Sequence, residues 1–243
     1  MDNTKNSIIR AAIRERYGDI ASKGVPSEDC DSSNCCLETE ATDRVNTNNE
    51  QSSQMGYSAE DFASVPEGSN MGLGCGNPQT IAALKPGEIV LDLGSGGGFD
   101  CFLAAKQVGA TGKVIGVDMT LEMIAKARSN AEKSLYSNVE FRLGEIEQLP
   151  IADDNVNVII SNCVINLSAD KPKVFREAYR VLKPGGRLAV SDVVATAEFP
   201  QYIRNDPAMH SICAAGSEFV VDLENMLADA GFTDIEIVPK DES

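Results

Sequence analysis

The sequence has a single histidine, His210, with no partner at zinc-ligand spacing, and it has no CxxC pair. Those two absences exclude a zinc finger. No apolar run approaches the roughly 18 residues that span a bilayer. The start, MDNTKNSIIR, lacks the charged-then-apolar layout of a signal peptide. A soluble cytoplasmic protein with no membrane partner is therefore expected. Basic residues are scarce, 21 against 37 acidic, for a formal charge of −16. That balance repels the phosphates of nucleic acid and anionic lipid but stays compatible with a small cationic ligand. No internal repeat is present.

What remains is a chain that can build a core. Its 243 residues, 42% hydrophobic and 24% charged, suit one large domain with an arm. Seven cysteines stand out: Cys30, Cys35, Cys36, Cys75, Cys101, Cys163 and Cys213. An odd count without a secretion signal argues for reduced thiols rather than a disulfide framework.

Hydrophobic spacing predicts an amphipathic helix over 5–21, with Ile8, Ile9, Ala12 and Ile13 on one face. From Gly24 to Gln54 large apolar residues nearly vanish, which predicts a mobile polar arm carrying Cys30 and the vicinal Cys35–Cys36. The pattern then becomes regular. Strands are expected at 88–93, 113–118, 139–143, 156–160, 187–194 and 233–238. Helices are expected at 99–108, 121–133, 171–182 and 222–230, the third stopping at Lys183-Pro184-Gly185-Gly186. Three parts are expected: an arm over 1–56, a cofactor domain over 57–195, and a segment over 196–243 that covers the acceptor and completes the sheet.

Alternating strands and helices imply right-handed crossovers and a mostly parallel, doubly wound α/β sheet, Rossmann-like in kind. Ligands of such sheets bind beyond the carboxyl ends of the strands. That places the site at 93–98, 118–120, 144–147 and 161–166. The turn Gly94-Ser95-Gly96-Gly97-Gly98 lets a ligand approach the backbone closely. Asp118 lies 24 residues after Gly94, where an acid can accept from both ribose hydroxyls. Two details argue against a dinucleotide: Asp92 would sit badly beside a pyrophosphate, and Phe99 replaces the third glycine.

VLDLGSGGGFD, GVDMT and RVLKPGGRLAVSD resemble the nucleotide-binding region of class I S-adenosylmethionine-dependent methyltransferases over roughly 85–195. The resemblance implies that Asp92, Gly94, Ser95 and Gly96 hold the methionine part of the cofactor. Asp118 takes the ribose and Met119 packs on the adenine. Glu145, Ile146 and Glu147 line the adenine edge, with the choice between the two acids open. Asn162, after the fourth strand, completes the cofactor set.

GLGCGNP, DLGSGGGFDC, SNCVINLSADK and the Cys213 segment are similar to the arsenite methyltransferases, from about Gly56 onward. Thiolates suit a soft, thiophilic centre. The resemblance implies trivalent arsenic held by cysteine sulfurs with its lone pair facing the sulfonium methyl. It implies Cys163 and Cys213 as first ligands and Cys75 as third ligand or reductant. An N-terminal cysteine, Cys35 or Cys36 with Cys30 as third choice, would pair with Cys75. Closing that disulfide returns methylated arsenic to the trivalent state. A thioredoxin- or glutathione-type reductant then reopens it. The substrates expected are arsenite and methylarsenite, the outcome detoxification, and the protein a monomer. Cys101 reads as packing and His210 as local structure. That family's sheet usually has seven strands where this pattern supplies six before the chain stops at Ser243. Two other readings are an ordinary quinone-type carbon methyltransferase, which gives the thiols no role, and a thiol-based metalloid sensor, which predicts degraded cofactor residues.

Overall fold

The runs Ile89–Leu93, Lys113–Asp118 and Val156–Asn162 are buried on both faces and need cover on both, which places them at the centre of one sheet. The computed structural model describes residues 2–23, 41–204, 206–213 and 215–240. Strands β1 (Ile89–Leu93), β2 (Lys113–Asp118), β3 (Val139–Leu143), β4 (Val156–Asn162) and β5 (Leu182–Ser191) form one sheet in the order β3-β2-β1-β4-β5, every pair parallel. Helices α1 (Asp2–Lys23), α2 (Ala41–Gln54), α3 (Ala59–Ala63) and α4 (Gln79–Ala82) precede the sheet. Then α5 (Phe99–Val108), α6 (Leu121–Lys133) and α7 (Lys171–Val181) connect its strands. Two short turns, α8 (Gln201–Arg204) and α9 (Pro207–His210), lead to α10 (Val220–Ala230).

Side-chain alternation along the strands divides the core in two. Val90, Val114, Val158 and Ile160 meet Phe102, Ala105 and Val108 of α5 and Ile124 and Ala127 of α6. Leu91, Leu93, Ile115 and Ile159 meet Val174, Phe175, Ala178 and Val181 of α7, with Leu223 and Leu227 of α10 packed outside. The direction of strand addition reverses between β1 and β4, so their carboxyl ends open a crevice there. The two smaller apolar clusters belong to α1. Ile9 and Ile13 pack with Leu167 and Cys213, and Ile20 packs with Met71 and Met123.

Three expectations from the pattern fail. The polar arm over 24–54 contains a helix in its second half, α2, while Cys30, Cys35 and Cys36 lie outside the described residues. Hydrogen bonds rather than apolar burial anchor α2. Ser52 donates to Asn70 Oδ1 at 3.1 Å, and Asn70 Nδ2 donates to Asn49 Oδ1 at 3.0 Å. Helix α7 ends at Val181, as the Lys183–Gly186 stretch predicts, but that stretch is not a turn ahead of a strand starting at Arg187. It runs within β5, where the register jumps from Val156↔Leu182 to Val158↔Arg187 and the extra residues bulge. Finally, 233–238 forms no strand, so the C-terminal segment does not complete the sheet among the described residues. Asp234 turns the chain with φ +54, which breaks the extended run that a ladder needs.

Candidate active site

The turn after β1 has a shape that its side-chain-free positions permit. Gly94 takes φ +70, and a Cβ there would stand 2.4 Å from Val164 Cγ2. Its N–H and that of Ser95 donate to Val117 O, at 2.8 and 3.0 Å. Gly96 N–H donates to Asp118 Oδ2 at 3.0 Å, and Thr120 N–H donates to Asp118 Oδ1 at 2.8 Å. The strand-2 acid is thus locked against the glycine loop. Burial still holds its carboxyl above the usual range, with those backbone donors opposing. Asp92 is fully buried at the end of β1, and desolvation followed by the nearby Asp100 raises it well above an ordinary carboxylate. Its Oδ2 accepts from Cys101 Sγ at 3.2 Å, so Cys101 is packed as expected but also partners Asp92.

These groups line one cavity together with Met119, Ile146, Glu147, Asn162, Cys163 and Val164. Its contents fit an S-adenosylmethionine-like ligand. Ser95 Oγ is buried there without a hydrogen-bond partner, and Gly96 leaves open space where a Cβ would stand. A raised acid such as Asp92 gains most from a neighbouring ammonium group. Glu145 and Glu147 separate clearly. Glu147 is buried at the cavity, accepts from Ser168 Oγ at 2.7 Å and pairs with Arg10 at 3.3 Å. Glu145 lies outside it, paired with Arg14 and Arg10 of α1.

The thiols gather where β4 and β5 end. Cys163 follows Asn162 with φ +56, and its N–H donates to Ser191 O at 2.8 Å. Cys75 Sγ lies 3.5 Å from the same carbonyl. Cys213, with φ +64, donates from Sγ to Cys163 O at 3.2 Å. Cys163 and Cys213 are two of six non-glycine residues with positive φ among the described residues, a conformation that costs about 1–3 kcal/mol each. Cys75 Sγ, Cys163 Sγ and a carboxylate oxygen of Asp192 all lie within 4.8 Å of one another. Hydrogen bonds from the Cys213 and Cys75 thiols hold Cys163 well below the ordinary thiol range and push the two donors up. Cys163 is thus the most readily ionised of the three. Docking of the Cys213 segment depends on Gly216, where a Cβ would stand 1.9 Å from Asn166 O.

Tyr57, Asp100, Asp192, Arg10 and Tyr17 are residues of this site that carry no signal in the sequence, whereas Asn162 is expected there for another role. Asn162 is a hub rather than a simple cavity wall. It accepts from Cys75 N–H at 3.0 Å and donates to Gly76 O at 2.8 Å, Tyr57 OH at 3.1 Å and Asp100 Oδ2 at 3.2 Å. Tyr57 OH in turn donates to Asp100 Oδ1 at 2.7 Å. Asp192 stands beside Cys163, and burial and that neighbour push its carboxyl up to about 7. Arg10 and Tyr17 reach the cavity from α1. His210 is local structure, its Nε2 3.0 Å from Arg204 O.

A family model described as a methyltransferase domain matches residues 84–231. The chain belongs to the methyltransferase-domain family. This chain is 54% identical over 244 residues to the arsenite methyltransferase of Halobacterium salinarum, an alignment covering 96% of this chain and 60% of that protein. It is 40% identical over 152 residues to the arsenite methyltransferase of Homo sapiens, covering 59% of this chain and 40% of that one. The crystal structure of CrArsM, an arsenic(III) S-adenosylmethionine methyltransferase from Chlamydomonas reinhardtii, superposes with a TM-score of 0.61 at 41% identity. That superposition covers 74% of this chain and 60% of CrArsM. The chain thus spans about three fifths of the Halobacterium protein's length and less of the human one. Among the described residues no helix is long and apolar enough to cross a membrane.

Proposed function

We propose that this methyltransferase transfers a methyl group from S-adenosylmethionine to trivalent arsenic held by Cys75, Cys163 and Cys213. The observation that carries this reading is the meeting of three thiols from distant segments beside the cofactor cavity. Carbon acceptors need an apolar pocket, and such a pocket gives a thiol cluster no task. Arsenite arrives as a trihydroxide. Each cysteine sulfur forms an As–S bond as one hydroxide leaves, and the thiol proton goes with it as water. The Cys163 thiolate attacks first because it is already deprotonated, and the water left by that step takes its proton from solvent.

Cavity residues take the roles that their positions support. Asp92 and Ser95 hold the amino-acid end of the cofactor, and Asp118 holds the ribose, with Gly94 and Gly96 giving close approach. Met119, Ile146 and Glu147 surround the adenine, and Glu147 is favoured over Glu145 because it alone lines the cavity. Bound S-adenosylmethionine supplies an electrophilic methyl on a sulfonium. The chain contributes placement, since a pyramid of sulfurs leaves the arsenic lone pair unengaged and oriented. Ile9 and Ile13 of α1 pack against Cys213 and Leu167 and exclude water from that side. A general base is not required.

Methylation oxidises arsenic to the pentavalent state. Two thiolates closing to a disulfide return two electrons to it, and an external thioredoxin- or glutathione-type thiol then reduces the disulfide. Cys75 is the proposed partner of an N-terminal cysteine in that step, with Cys35 and Cys36 the candidates. The biological outcome of this chemistry is arsenic detoxification, carried out by a monomer.

Labelled S-adenosylmethionine incubated with arsenite and a thiol reductant should give labelled methylarsenic. Cys163→Ser should abolish the product while keeping cofactor binding. Turnover retained in that variant would remove the premise.

A further inference from the structure

Asp192 belongs to the thiol cluster yet has no part in the chemistry above. A pyramidal arsenic centre is satisfied by three sulfurs, and a hard carboxylate oxygen is a poor fourth partner for it. The carboxylate is nevertheless held firmly. Asn166 Nδ2 and Val193 N–H donate to Oδ1 at 2.8 and 2.9 Å, and Asn166 N–H donates to Oδ2 at 3.2 Å. Ligating carboxylates are typically oriented in this way by partners behind them.

The cluster has the composition and scale of a tetrahedral cation site. Zinc takes sulfur at about 2.3 Å and oxygen at about 2.0–2.2 Å, so ligand atoms around it stand roughly 3.5–3.8 Å apart. Cys75 Sγ, Cys163 Sγ and the Asp192 oxygen are already within 4.8 Å of one another. Cys213 Sγ donates to Cys163 O at 3.2 Å and stands next to that set without being within 4.8 Å of every member. A contraction of about 1 Å around an ion closes those three ligands and leaves a fourth position to Cys213 or to water. Lys171, which interacts favourably with Asp192 and pairs with Glu218 at 3.6 Å, offsets part of the negative charge that the ionised ligands carry.

We propose that Cys75, Cys163 and Asp192, with Cys213 or a water as fourth ligand, form a thiolate–carboxylate site for a zinc-like divalent cation. The ion occupies the thiols that trivalent arsenic needs, so the two compete. Asp192 decides between them: the tetrahedral ion requires it, and the pyramidal one does not. The competition rests on the arsenic reading above; the cation site does not.

Cobalt(II) titrated into the reduced full-length chain tests this, because thiolate-to-cobalt charge transfer and tetrahedral d–d bands report the donor set. One cobalt per chain is expected, with charge-transfer absorption that Cys163→Ser removes. Asp192→Asn keeps an acceptor for Asn166 and Val193 but loses the anionic ligand. It should weaken cobalt binding by about 100-fold, the upper end for disturbing a metal site, while arsenite affinity stays within about threefold of wild type. Arsenite should displace cobalt from the wild-type chain, a readout that holds even if the Asn variant fails to fold. Unchanged cobalt affinity in Asp192→Asn, absence of charge transfer, or cobalt that arsenite fails to displace despite binding would overturn the site. Asp192-dependent cobalt binding without arsenite binding or methylation would instead retract the arsenic reading and leave the cation site standing.

Discussion

Replacing Asn162 by alanine tests whether the thiol cluster is positioned by one polar hub. Its amide nitrogen has two hydrogens but three acceptors within 3.2 Å, and its oxygen takes one donor, so at most three full hydrogen bonds are lost. At about 1 kcal/mol net each, the variant should lose about 3 kcal/mol. For a chain of this size each kcal/mol lowers the melting temperature by about 2–4 °C, so a drop of roughly 6–12 °C is expected. Two of the three bonds, from Cys75 N–H and to Gly76 O, hold the Cys75 loop. Their share of about 2 kcal/mol corresponds to a loss of about 30-fold in arsenite affinity. Cofactor affinity should change much less. Thermal melts and isothermal titration with each ligand read these three quantities. A melting drop below about 2 °C with arsenite affinity unchanged would refute the hub argument.

Three other variants or measurements follow from the same geometry. Glu147→Gln should weaken S-adenosylmethionine binding by about tenfold, the scale of one charge-assisted hydrogen bond, while Glu145→Gln leaves it unchanged; equal effects would mean that cavity placement does not select the partner. Gly216→Ala cannot be accommodated beside Asn166 O without moving the Cys213 segment. Arsenite affinity should therefore fall more than tenfold with the cofactor affinity intact, and equal losses of both would point to general unfolding. Cys163 has a folded-state pKa below its unfolded value, so its thiolate contributes stability that is present above the unfolded pKa and lost as pH falls through the folded one. Iodoacetamide should accordingly label Cys163 ahead of Cys75 and Cys213, with labelling persisting at pH 6; parallel loss of all three rates below pH 8 would contradict Cys163 as the most readily ionised of the three.

Much of the sheet is legible from local pattern because parallel strands buried on both faces are written as short aliphatic runs, as in Ile89–Leu93 and Val156–Ile160. The glycine turn after β1 and the acid after β2 are equally legible, since their backbone demands are local. Pattern misleads where partners decide the outcome. Thr233–Val238 alternates like a strand but turns at Asp234 and finds no ladder. Helix α2 lacks an apolar stripe and is held instead by Asn70, a residue outside it.

The functional site divides along the same line. The chain alone carried the signals behind the proposed ligand chemistry, because a glycine loop, a strand-end acid and thiols at Cys75, Cys163 and Cys213 are matters of residue type and spacing. Only the tertiary structure decided which groups act together. Convergence of thiols separated by 88 and 50 positions depends on where β4 and β5 end and on the close approach at Gly216. The burial of Glu147 at the cavity while Glu145 stays outside it, and the arrival of Asp192 beside Cys163, follow from side-chain direction and burial. Those are properties of packed surfaces, and neighbouring residues in a sequence do not encode them until the sheet brings distant segments into contact.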